Sequence, residues 1–546
     1  MRIKPLSRRY FLKLSAMAFA LLPFDLEKAA AYAAAIEPKK DYPTIVIGAG
    51  LGGLCCGAYL SRFGFPVTVV EQHSLPGGYA TSFDRAGGKF TFEVSLEGTS
   101  IHNNEAAQIL RELGVLEKFQ LVEAPEVLRI RGDGFEIAVP QRDPEAFINL
   151  LSKQFPEERE GVRGFVQEII GIVEERRRLA QQNGKVSSED FPSLYPKLWN
   201  VSNQTLADLL GRFVKDPRLK DALSAQWGYY GLPPSKLSGF YYAVALGEYL
   251  TNGSYYIKPR SQELSNALAG AIEASGGTIL YDTMVEKILV ADGAVTGVGL
   301  FGGKSLPART VVSNASAVTT FKEMLAAETL PPEYLKKLNE YQPSISSFVV
   351  WLGLNQELKD KFHGYSYPVG SSQGPEADYQ FSLKGDVERG SFGVVLYDAL
   401  FEGYSKPGTS TVKLLFLSGY EPWRAYEADY RQGRKEAYKK EKERWTNTLI
   451  ARAEKEVIPG LSSMIEVKES STPLTNWYFT RNTEGAIYGF EQAMNNTFMN
   501  RIDNRTPIKG LYLAGAWGNP GGGFSAALKS GQSTFGKIME DSKPPN

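Results

Sequence analysis

The sequence predicts an α/β fold in which a Rossmann-like domain is interrupted by an inserted α+β domain. Three observations lead to this prediction. An apolar, β-branched run at 44–47 leads directly into the glycine pattern G-x-G-x-x-G, and another short apolar run near the C-terminus leads into a second glycine-rich loop. Long segments of different pattern separate the two, and 546 residues exceed what one hydrophobic core needs, so two or more lobes are expected.

The first 35 residues have the pattern of an export signal. A basic stretch precedes an uninterrupted apolar run at 14–22, and an alanine-rich tract then offers Ala33 and Ala35 as an A-x-A cleavage site. A membrane-spanning helix needs about 20 apolar residues, so an anchor is disfavoured. The basic residues are Arg2, Lys4, Arg8, Arg9 and Lys13.

Within this segment the motif SRRYFLK at 7–13 resembles the bacterial twin-arginine signal S-R-R-x-F-L-K at every fixed position. The motif predicts export by the twin-arginine translocase and a periplasmic location. An ordinary basic amphipathic N-terminal helix is the alternative interpretation.

Composition is that of an ordinary globular protein, with 43% hydrophobic and 22% charged residues. Lys plus Arg and Asp plus Glu both total 61, so no net field draws the chain to nucleic acid or anionic lipid, although a peripheral membrane contact is left open. The histidines His73, His102 and His363 are scattered, so neither a metal site nor a His-based triad is expected. Cys55 and Cys56 are adjacent and are expected to be small core residues rather than redox groups.

The segment TIVIGAGLGG at 44–53 predicts a strand followed by a phosphate-binding loop. Thr44–Ile47 reads as a short buried strand. Gly48 allows the tight turn, Gly50 lets the backbone approach a pyrophosphate, and Gly53 lets the next helix pack close to the strand. The sequence therefore predicts dinucleotide binding.

The rest of this unit indicates which dinucleotide fits. The helix is expected to run to about Phe63 and to stop at Gly64. The second strand, Val67–Val70, ends at Glu71, close to the spacing expected for an acid that binds ribose hydroxyls. Because a carboxylate there would repel a 2′-phosphate, FAD or NAD is favoured over NADP.

Two further stretches extend this pattern. SLPGGYATSF at 74–83 adds a second glycine pair, Gly77 and Gly78. The stretch 276–300 reads as strand, strand, turn and strand, with Asp292-Gly293 as the hairpin turn.

A third stretch lies near the C-terminus. It reads as a strand at Leu511–Leu513, a loop at Gly521–Gly523 and a helix from Ser525 onward. A helix N-terminus presented by a glycine loop suits a partial negative charge on a ligand.

Together these segments resemble the FAD-dependent phytoene desaturase, carotenoid isomerase and retinol saturase superfamily, which is related more distantly to flavin amine oxidases. The resemblance covers roughly 44–539 and is strongest at its two ends. WGYYGLPPSKLSGF at 227–240 is similar to the central segment of the isomerase and saturase branch. The resemblance implies FAD as the cofactor and an FAD-binding domain of the glutathione reductase type.

The resemblance also implies roles for particular residues. The first glycine loop receives the FAD pyrophosphate, Glu71 the adenosine ribose, and Val285 lies by the adenine. The second glycine pair approaches the flavin side, and the C-terminal loop covers the flavin ring, with the following helix pointing at its pyrimidine edge. The implied cofactor-binding residues are Gly48, Gly50, Gly53, Glu71, Gly77, Gly78, Val285, Gly515, Gly522, Gly523 and Phe524.

One departure from the family pattern concerns the residue after the glycine of LAG. Many relatives carry an acid there, which binds the ribityl chain or phosphate. This chain has Ala516, as bacterial phytoene desaturases also do, so no side chain is assigned to that contact.

The domain organisation is expected to be discontinuous. The FAD-binding domain is predicted from 43–150, 255–325 and 475–540, and the substrate domain from 151–254 and 326–474. The first insertion is helical in pattern, whereas alternating runs in the second predict a sheet that floors a cavity.

Aromatic residues make up 12% of the chain, and nine fall between 227 and 256. Core packing explains most individual rings, but the segment as a whole is typical of an apolar tunnel for a long hydrophobic substrate. The nine are Trp227, Tyr229, Tyr230, Phe240, Tyr241, Tyr242, Tyr249, Tyr255 and Tyr256.

No single side chain stands out as a catalytic acid or base. Glu93 and Glu97, in FTFEVSLEGTSIH, lie where the family brings the chain close to the flavin, and either could serve if buried with a raised pKa. A structural pairing with an arginine or a helix end is the alternative for both. His102 lies nearby and has the same two interpretations.

The first functional hypothesis is an FAD-dependent oxidoreductase that desaturates or saturates a lipophilic polyene, such as a carotenoid or retinoid. The alternatives are a redox-neutral polyene cis–trans isomerase, a flavin amine oxidase, and a non-enzymatic lipophile carrier with structural FAD. Because an exported protein has no supply of NAD(P)H, a quinone, oxygen or an exported electron carrier is the expected redox partner. FAD is loaded in the cytoplasm, so a route that carries folded proteins fits an FAD site built from distant segments.

Overall fold

A computed structural model describes residues 26–542, apart from 38, 133, 182–185, 188, 359–360, 363, 371–372 and 497–499 and the side chain of residue 327. The SRRYFLK motif, the apolar run after it and His363 lie outside the described residues. Within the described ranges, no helix combines the length and the apolar character that crossing a membrane requires.

The strands and helices alternate along most of the chain. The strands are β1 (Thr44–Ile47), β2 (Val67–Val70), β3 (Ser82–Arg85), β4 (Phe90–Glu93), β5 (Gln120–Glu123), β6 (Arg129–Gly132), β7 (Phe135–Ala138), β8 (Tyr255–Lys258), β9 (Thr278–Leu280), β10 (Val285–Ala291), β11 (Ala294–Leu300), β12 (Ser305–Pro307), β13 (Thr310–Ser313), β14 (Ser346–Leu354), β15 (Ser366–Val369), β16 (Phe392–Leu396), β17 (Ser410–Ser418), β18 (Ile465–Ser471) and β19 (Leu511–Leu513). The helices are α1 (Leu26–Ala35), α2 (Leu51–Arg62), α3 (Glu105–Glu112), α4 (Pro144–Gln154), α5 (Arg159–Gln181), α6 (Phe191–Leu194), α7 (Pro196–Val201), α8 (Leu206–Gly211), α9 (Pro217–Leu223), α10 (Gly239–Asn252), α11 (Gln262–Ala274), α12 (Ala317–Lys322), α13 (Pro332–Leu338), α14 (Gly374–Lys384), α15 (Glu421–Arg431), α16 (Glu436–Glu456), α17 (Leu461–Met464), α18 (Pro473–Thr480) and α19 (Phe524–Asp541).

A five-stranded parallel sheet, in the order β19-β13-β1-β2-β9, forms the core of the first lobe. The strands predicted at 44–47, 67–70 and 511–513 are confirmed. They are short and largely buried, as strands of a covered parallel sheet require, and the first two are β-branched throughout. The chain leaves β1 toward β2 while β13 lies on the other side, so a crevice opens at the carboxyl ends of β1 and β13.

Helix α2 packs against β1 and against α19. It ends at Arg62, and Gly64 follows at φ +84°, as predicted for a glycine after the helix end. A Cβ on Gly531 of α19 would clash with the carbonyl oxygen of Gly52, so the two helices make backbone contact. Cys55 and Cys56 are buried at this contact, which raises the pKa of both thiols, and their prediction as core residues is confirmed.

A three-stranded antiparallel sheet, β10-β11-β12, flanks the parallel sheet. Asp292 and Gly293 connect β10 to β11 with φ angles of +49° and +73°. These positive values are typical of a tight hairpin turn, so the predicted hairpin is confirmed.

The second lobe contains a five-stranded antiparallel sheet, β15-β16-β17-β14-β18, and the helices α4 to α10. The apolar residues of 127–151 pack in one cluster with helix α5, for example Ile130 and Phe147 against Phe165. The sequence analysis assigned this stretch to the FAD-binding domain up to residue 150. The structure places residues 127–151 in the second lobe, because their apolar side chains pack against α5.

Helix α1 is the first described element, and it carries the alanine-rich end of the predicted signal. Ala29 and Ala33 are buried at 5% and 1% exposure in the same cluster as α2 and α19, whereas Ala35 is exposed. The predicted cleavage site therefore lies in the last turn of a packed helix.

Candidate active site

A continuous cavity of about 2310 Å³ extends from the carboxyl ends of the parallel strands into the second lobe. Pockets for one drug-sized ligand are about 300–1,000 Å³. The cavity therefore has room for a dinucleotide and a second, elongated molecule.

The first glycine loop forms one end of this cavity. Gly48 has φ +89°, and a Cβ on Gly53 would clash with the carbonyl oxygen of Gly48. Gly50 is the N-cap of α2 and offers no side-chain hydrogen bond to the helix end. Amide groups at this helix N-terminus are therefore oriented to bind an anion such as a pyrophosphate.

The second glycine pair lies directly against the first loop. The Gly77 N–H donates to the carbonyl of Ala49 at 2.7 Å, and Gly50 and Gly77 form a short parallel bridge. A Cβ on Gly78 would lie 3.7 Å from the Cα of Gly50. The structure thus brings the two predicted glycine motifs together in one cradle, which lines the cavity.

Glu71 lies at the carboxyl end of β2, on the cavity wall. Its side-chain carboxylate accepts hydrogen bonds from the N–H groups of Ala49 at 2.7 Å and His73 at 2.8 Å. Burial raises the pKa of this carboxyl, and the two backbone donors counteract part of the rise. Val285, at the start of β10, lines the same part of the cavity.

Asn314, which the sequence analysis missed, joins the first loop to the C-terminal loop. It follows β13, and its Oδ1 accepts a hydrogen bond from the N–H of Gly53 at 3.0 Å. Cβ atoms on Gly50 and Gly515 would both clash with its side chain. The signal in the sequence was an asparagine directly after a buried strand.

The C-terminal loop closes the cradle from the other side. Gly523, at φ +98°, is the N-cap of α19 and has no side-chain cap, so this is a second helix N-terminus facing the cavity. The hydroxyl of Tyr241 donates to the carbonyl of Gly522 at 3.0 Å, and a Cβ on Gly522 would lie 2.8 Å from the carbonyl oxygen of Tyr488. Gly515, Gly522, Gly523 and Phe524 all line the cavity.

Arg501, also missed, holds this loop from behind. Its guanidinium donates to the carbonyls of Gly518 at 2.6 Å and Ala516 at 3.0 Å, and to the side-chain oxygen of Gln492 at 2.8 Å. Burial lowers its pKa to about 10. Among the described residues no carboxylate pairs with it, so a positive charge lies beside the loop.

The residues of the cradle fit FAD. They provide two uncapped helix N-termini, glycines whose Cβ atoms would fill the space between the loops, and a carboxylate at the end of β2. The helix N-termini and the glycine loops suit a pyrophosphate and the edge of a flavin. The carboxylate suits ribose hydroxyls.

The floor of the cavity comes from two long strands of the antiparallel sheet. Alternate residues of β14 and β17 point to one face and line the cavity. The predicted sheet that floors a cavity is confirmed. These residues are Ser347, Val349, Trp351, Leu415 and Leu417.

The aromatic segment contributes a wall of the cavity. Six of its nine rings line the cavity and three are buried outside the cavity wall. The six are Trp227, Tyr229, Tyr230, Phe240, Tyr241 and Tyr249, and the three are Tyr242, Tyr255 and Tyr256.

Of the three predicted acid or base candidates, Glu97 lines the cavity. Its Oε1 lies 3.0 Å from Nζ of Lys413, and its Oε2 accepts a hydrogen bond from the Tyr229 hydroxyl at 2.8 Å. Lys413 is completely buried in β17 and was missed, although a single lysine within STVKLLFLS is a visible break in an apolar strand.

The other two candidates do not line the cavity. Glu93 is 1% exposed, and its carboxylate accepts hydrogen bonds from the Tyr256 hydroxyl and from the hydroxyl and N–H of Ser261. The His102 ring stacks on Tyr255 with centroids 4.4 Å apart. The structure therefore places Glu93 in a buried structural network and His102 against Tyr255 of β8.

The parallel sheet, the double glycine cradle and the adjoining cavity define a dinucleotide-binding enzyme with a Rossmann-like core. The chain belongs to the family of flavin containing amine oxidoreductases, whose family model matches residues 51–534. It is an FAD-dependent oxidoreductase-type enzyme, which disfavours the hypothesis of a carrier without catalysis.

Several characterised proteins are similar over most of their length. Prolycopene isomerase 1 of an Oncidium hybrid cultivar is 27% identical over 530 residues, covering 93% of this chain and 85% of that protein. All-trans-retinol 13,14-reductase of Danio rerio is 25% identical, covering 87% and 82%. Phytoene desaturase (neurosporene-forming) of Rhodobacter capsulatus is 25% identical, covering 92% and 94%.

Solved structures share the fold at lower identity. An oxidoreductase from Methanosarcina mazei has a TM-score of 0.58 at 18% identity, covering 91% of this chain and 100% of that one. Cyclohexylamine oxidase from Brevibacterium oxydans has a TM-score of 0.58 at 16% identity, covering 91% and 99%. These similarities confirm the predicted fold class.

Proposed function

We propose that this enzyme desaturates or saturates a carbon–carbon bond of a lipophilic polyene. The observation that carries the proposal is the cavity of about 2310 Å³ that joins the FAD cradle to a wall of aromatic rings and a largely apolar strand floor. A long apolar molecule fits such a wall, and the cradle places one part of it against the cofactor. The names of the isomerase, reductase and desaturase relatives support this substrate class.

FAD, when bound, supplies the two-electron redox chemistry. The chain's own residues bind and orient it: the cradle around Gly50 and Gly77 would hold the pyrophosphate, Glu71 the ribose, and the loop at 515–524 the flavin. The aromatic rings exclude water and align the polyene. Glu97 is the predicted polar candidate that faces the cavity, beside the Tyr229 hydroxyl.

A second candidate function is redox-neutral polyene cis–trans isomerisation. The specific observation in its favour is that four of the similar proteins are prolycopene isomerases, at 25–27% identity. Oxidation of an amine has less support, because the similar amine oxidases share the fold at 16% identity or less.

Anaerobic incubation of the FAD-loaded protein with a panel of polyenes and amines separates these functions. Loss of flavin absorbance with a product lighter by two hydrogens indicates desaturation. With pre-reduced flavin, a product heavier by two hydrogens indicates saturation, and unchanged mass with altered retention indicates isomerisation. Flavin reduction by amines alone, with no change in any polyene, would overturn the proposal.

The cellular location is part of the same proposal. The SRRYFLK motif supports twin-arginine export to the periplasm, and with it a quinone or oxygen as the redox partner rather than NAD(P)H. Replacing Arg8 and Arg9 with lysine is expected to retain an FAD-loaded precursor in the cytoplasm, while Arg2→Lys is the matched control. Full export of the double variant, or rapid flavin reduction by NADPH, would contradict this part.

A further inference from the structure

A buried ion pair lies behind the cavity wall, and packing alone does not account for it. Lys413 is 0% exposed in the middle of β17, and its ammonium lies 3.0 Å from Glu97 and 5.4 Å from the Tyr397 ring centroid. Replacing such a buried pair with apolar residues is often neutral or stabilising. A pair that is costly to bury, and that reaches a ligand cavity, points to a role in binding or chemistry.

The Glu97 end of this pair faces the cavity. Oε2 of Glu97 accepts a hydrogen bond from Tyr229, whose side chain is 43% exposed and lines the cavity. Burial raises the pKa of the Tyr229 hydroxyl, and the neighbouring carboxylate adds to the rise. The phenol therefore remains protonated and continues to donate to Glu97.

The Glu97 carboxylate and the Tyr229 hydroxyl can each accept a further hydrogen bond. A carboxylate has about four lone-pair sites. Oε1 of Glu97 is buried, receives no hydrogen bond from the described residues and has only the ion pair with Lys413. The phenolic oxygen of Tyr229 can also accept one hydrogen bond while it donates another.

Tyrosine hydroxyls lie close to these two acceptors, but those of Tyr249, Tyr397 and Tyr488 already donate to backbone carbonyls. The sheet beside them is apolar. Trp351, Leu415 and Leu417 form the nearby cavity floor. An acceptor without a donor is unfavourable in such an environment, and a ligand that brings one hydroxyl removes the cost. The cavity thus selects for an apolar molecule that carries a hydrogen-bond donor.

The polar pair also lies close to the cofactor cradle. Tyr229 follows Gly228, whose carbonyl accepts a hydrogen bond from the Tyr488 hydroxyl at 3.0 Å. The backbone of Tyr488 in turn contacts Gly522 of the C-terminal loop. Contacts through Gly228 and Tyr488 therefore connect the Glu97–Tyr229 pair to the loop of the cradle.

We propose that Glu97 and Tyr229 bind a hydroxyl group of the substrate, so that the substrate is an amphipathic polyene alcohol rather than a pure hydrocarbon. Lys413 is a positioning residue that fixes the Glu97 carboxylate. This inference rests on the proposed function and adds to it. It implies that the reacting bond lies toward the hydroxyl-bearing end of the polyene.

Matched ligands that differ by one hydroxyl test the inference. We would measure dissociation constants of the FAD-loaded enzyme for all-trans-retinol and its 15-deoxy hydrocarbon, and for β-cryptoxanthin and β-carotene. Quenching of tryptophan fluorescence is a suitable readout, because Trp227 and Trp351 line the cavity. The alcohol of at least one pair is expected to bind about tenfold more tightly, as for one hydrogen bond to a charged group.

Three variants test whether Glu97 and Tyr229 cause the preference for the alcohol. Tyr229→Phe removes one hydroxyl and leaves the ion pair, so it is the mildest change. The double variant Glu97→Gln/Lys413→Met removes both charges together and avoids an unpaired buried lysine. Tyr242→Phe is the control, because its hydroxyl donates to the Leu223 carbonyl and is buried outside the cavity wall.

The inference holds if the preference for the alcohol falls about threefold or more in Tyr229→Phe and the double variant but persists in Tyr242→Phe. Equal affinity for alcohol and hydrocarbon in the wild type overturns it, as does a preference unchanged in the variants. If hydrocarbon polyenes are then still converted, the proposed function stands without the anchor. If no polyene binds or reacts, the proposed function itself fails.

Discussion

At the scale of single residues, the cradle depends on glycines that leave no room for a side chain. Gly53 is one of them, since a Cβ there would clash with the backbone carbonyl of Gly48 and not with a movable side-chain end. Its role was predictable from the sequence, because the G-x-G-x-x-G spacing carries the reason for each glycine. Arg501 was not predictable, because its partners follow no spacing rule, and for Asn314 the sequence offered only its position after a buried strand.

Gly53→Ala is expected to lower the free energy of unfolding by about 1–3 kcal/mol, because β1 and α2 must separate. It should also reduce FAD retention during purification, since the phosphate-binding turn shifts with the helix. The control is Gly270→Ala, at an exposed position of α11 with nothing within 4 Å of the new Cβ. That control should be neutral or slightly stabilising in thermal denaturation. Equal effects of the two changes would contradict the packing argument.

Arg501→Met is expected to destabilise the C-terminal loop by about 1–3 kcal/mol, because the carbonyls of Ala516 and Gly518 lose their donors. FAD affinity, measured by titration of the apoprotein, should fall. Arg501→Lys keeps a charge and part of the hydrogen bonding, so it should lie between wild type and Arg501→Met. An unchanged FAD affinity in Arg501→Met would show that the loop does not depend on this residue.

At the scale of elements, an ion-pair network ties three helices together beside the cavity. Glu105, at the start of α3, pairs with Arg176 of α5 and Lys529 of α19. Burial alone would raise the pKa of Glu105, but the two cations outweigh it and lower the pKa from 4.5 to about 2. The sequence predicted α19 and a helical first insertion but not α3, and this cross-helix pairing depends on three distant segments folding together.

This network predicts a pH dependence. Because the pKa of Glu105 is depressed in the folded state, its contribution to stability is full above about pH 4.5 and is lost as the pH falls toward about 2. Glu105→Gln should lower the melting temperature at pH 6, and the difference from wild type should shrink between pH 4.5 and pH 3. A difference that stays constant over this range would mean that the carboxylate is not stabilised in the folded state.

At the scale of the whole molecule, the FAD site is assembled from segments that lie far apart in the chain. The cradle combines residues near 50, 77, 314 and 515, and the fold must be complete before they meet. Ligand binding to such a site stabilises the folded state by mass action. The segments near 50, 77 and 515 were predictable, because each carries its own glycine pattern, whereas the one near 314 has none. The boundary at 127–151 was not, because the lobe on which β6, β7 and α4 pack depends on tertiary contacts such as those with α5, and not on the local pattern.

We therefore expect FAD to raise the melting temperature of the apoprotein in proportion to the logarithm of its concentration. At a hundredfold excess over the dissociation constant the added stability is about 2.7 kcal/mol. Differential scanning fluorimetry of the apoprotein over a range of FAD concentrations measures this. The Gly53→Ala variant should show a smaller shift than wild type at equal FAD, and an equal shift would separate the helix packing from cofactor binding.

Helix α1 bears on the proposed export, because it carries the predicted cleavage site. Lys28, Ala29 and Tyr32 of this helix line the cavity, beside the C-terminal helix on which α1 packs. If a signal peptidase cuts after Ala35, it removes a piece of that wall along with the export signal. Processing would then widen the entrance to the cavity, so the precursor and the processed enzyme would differ in ligand access although the residues of the FAD cradle are identical.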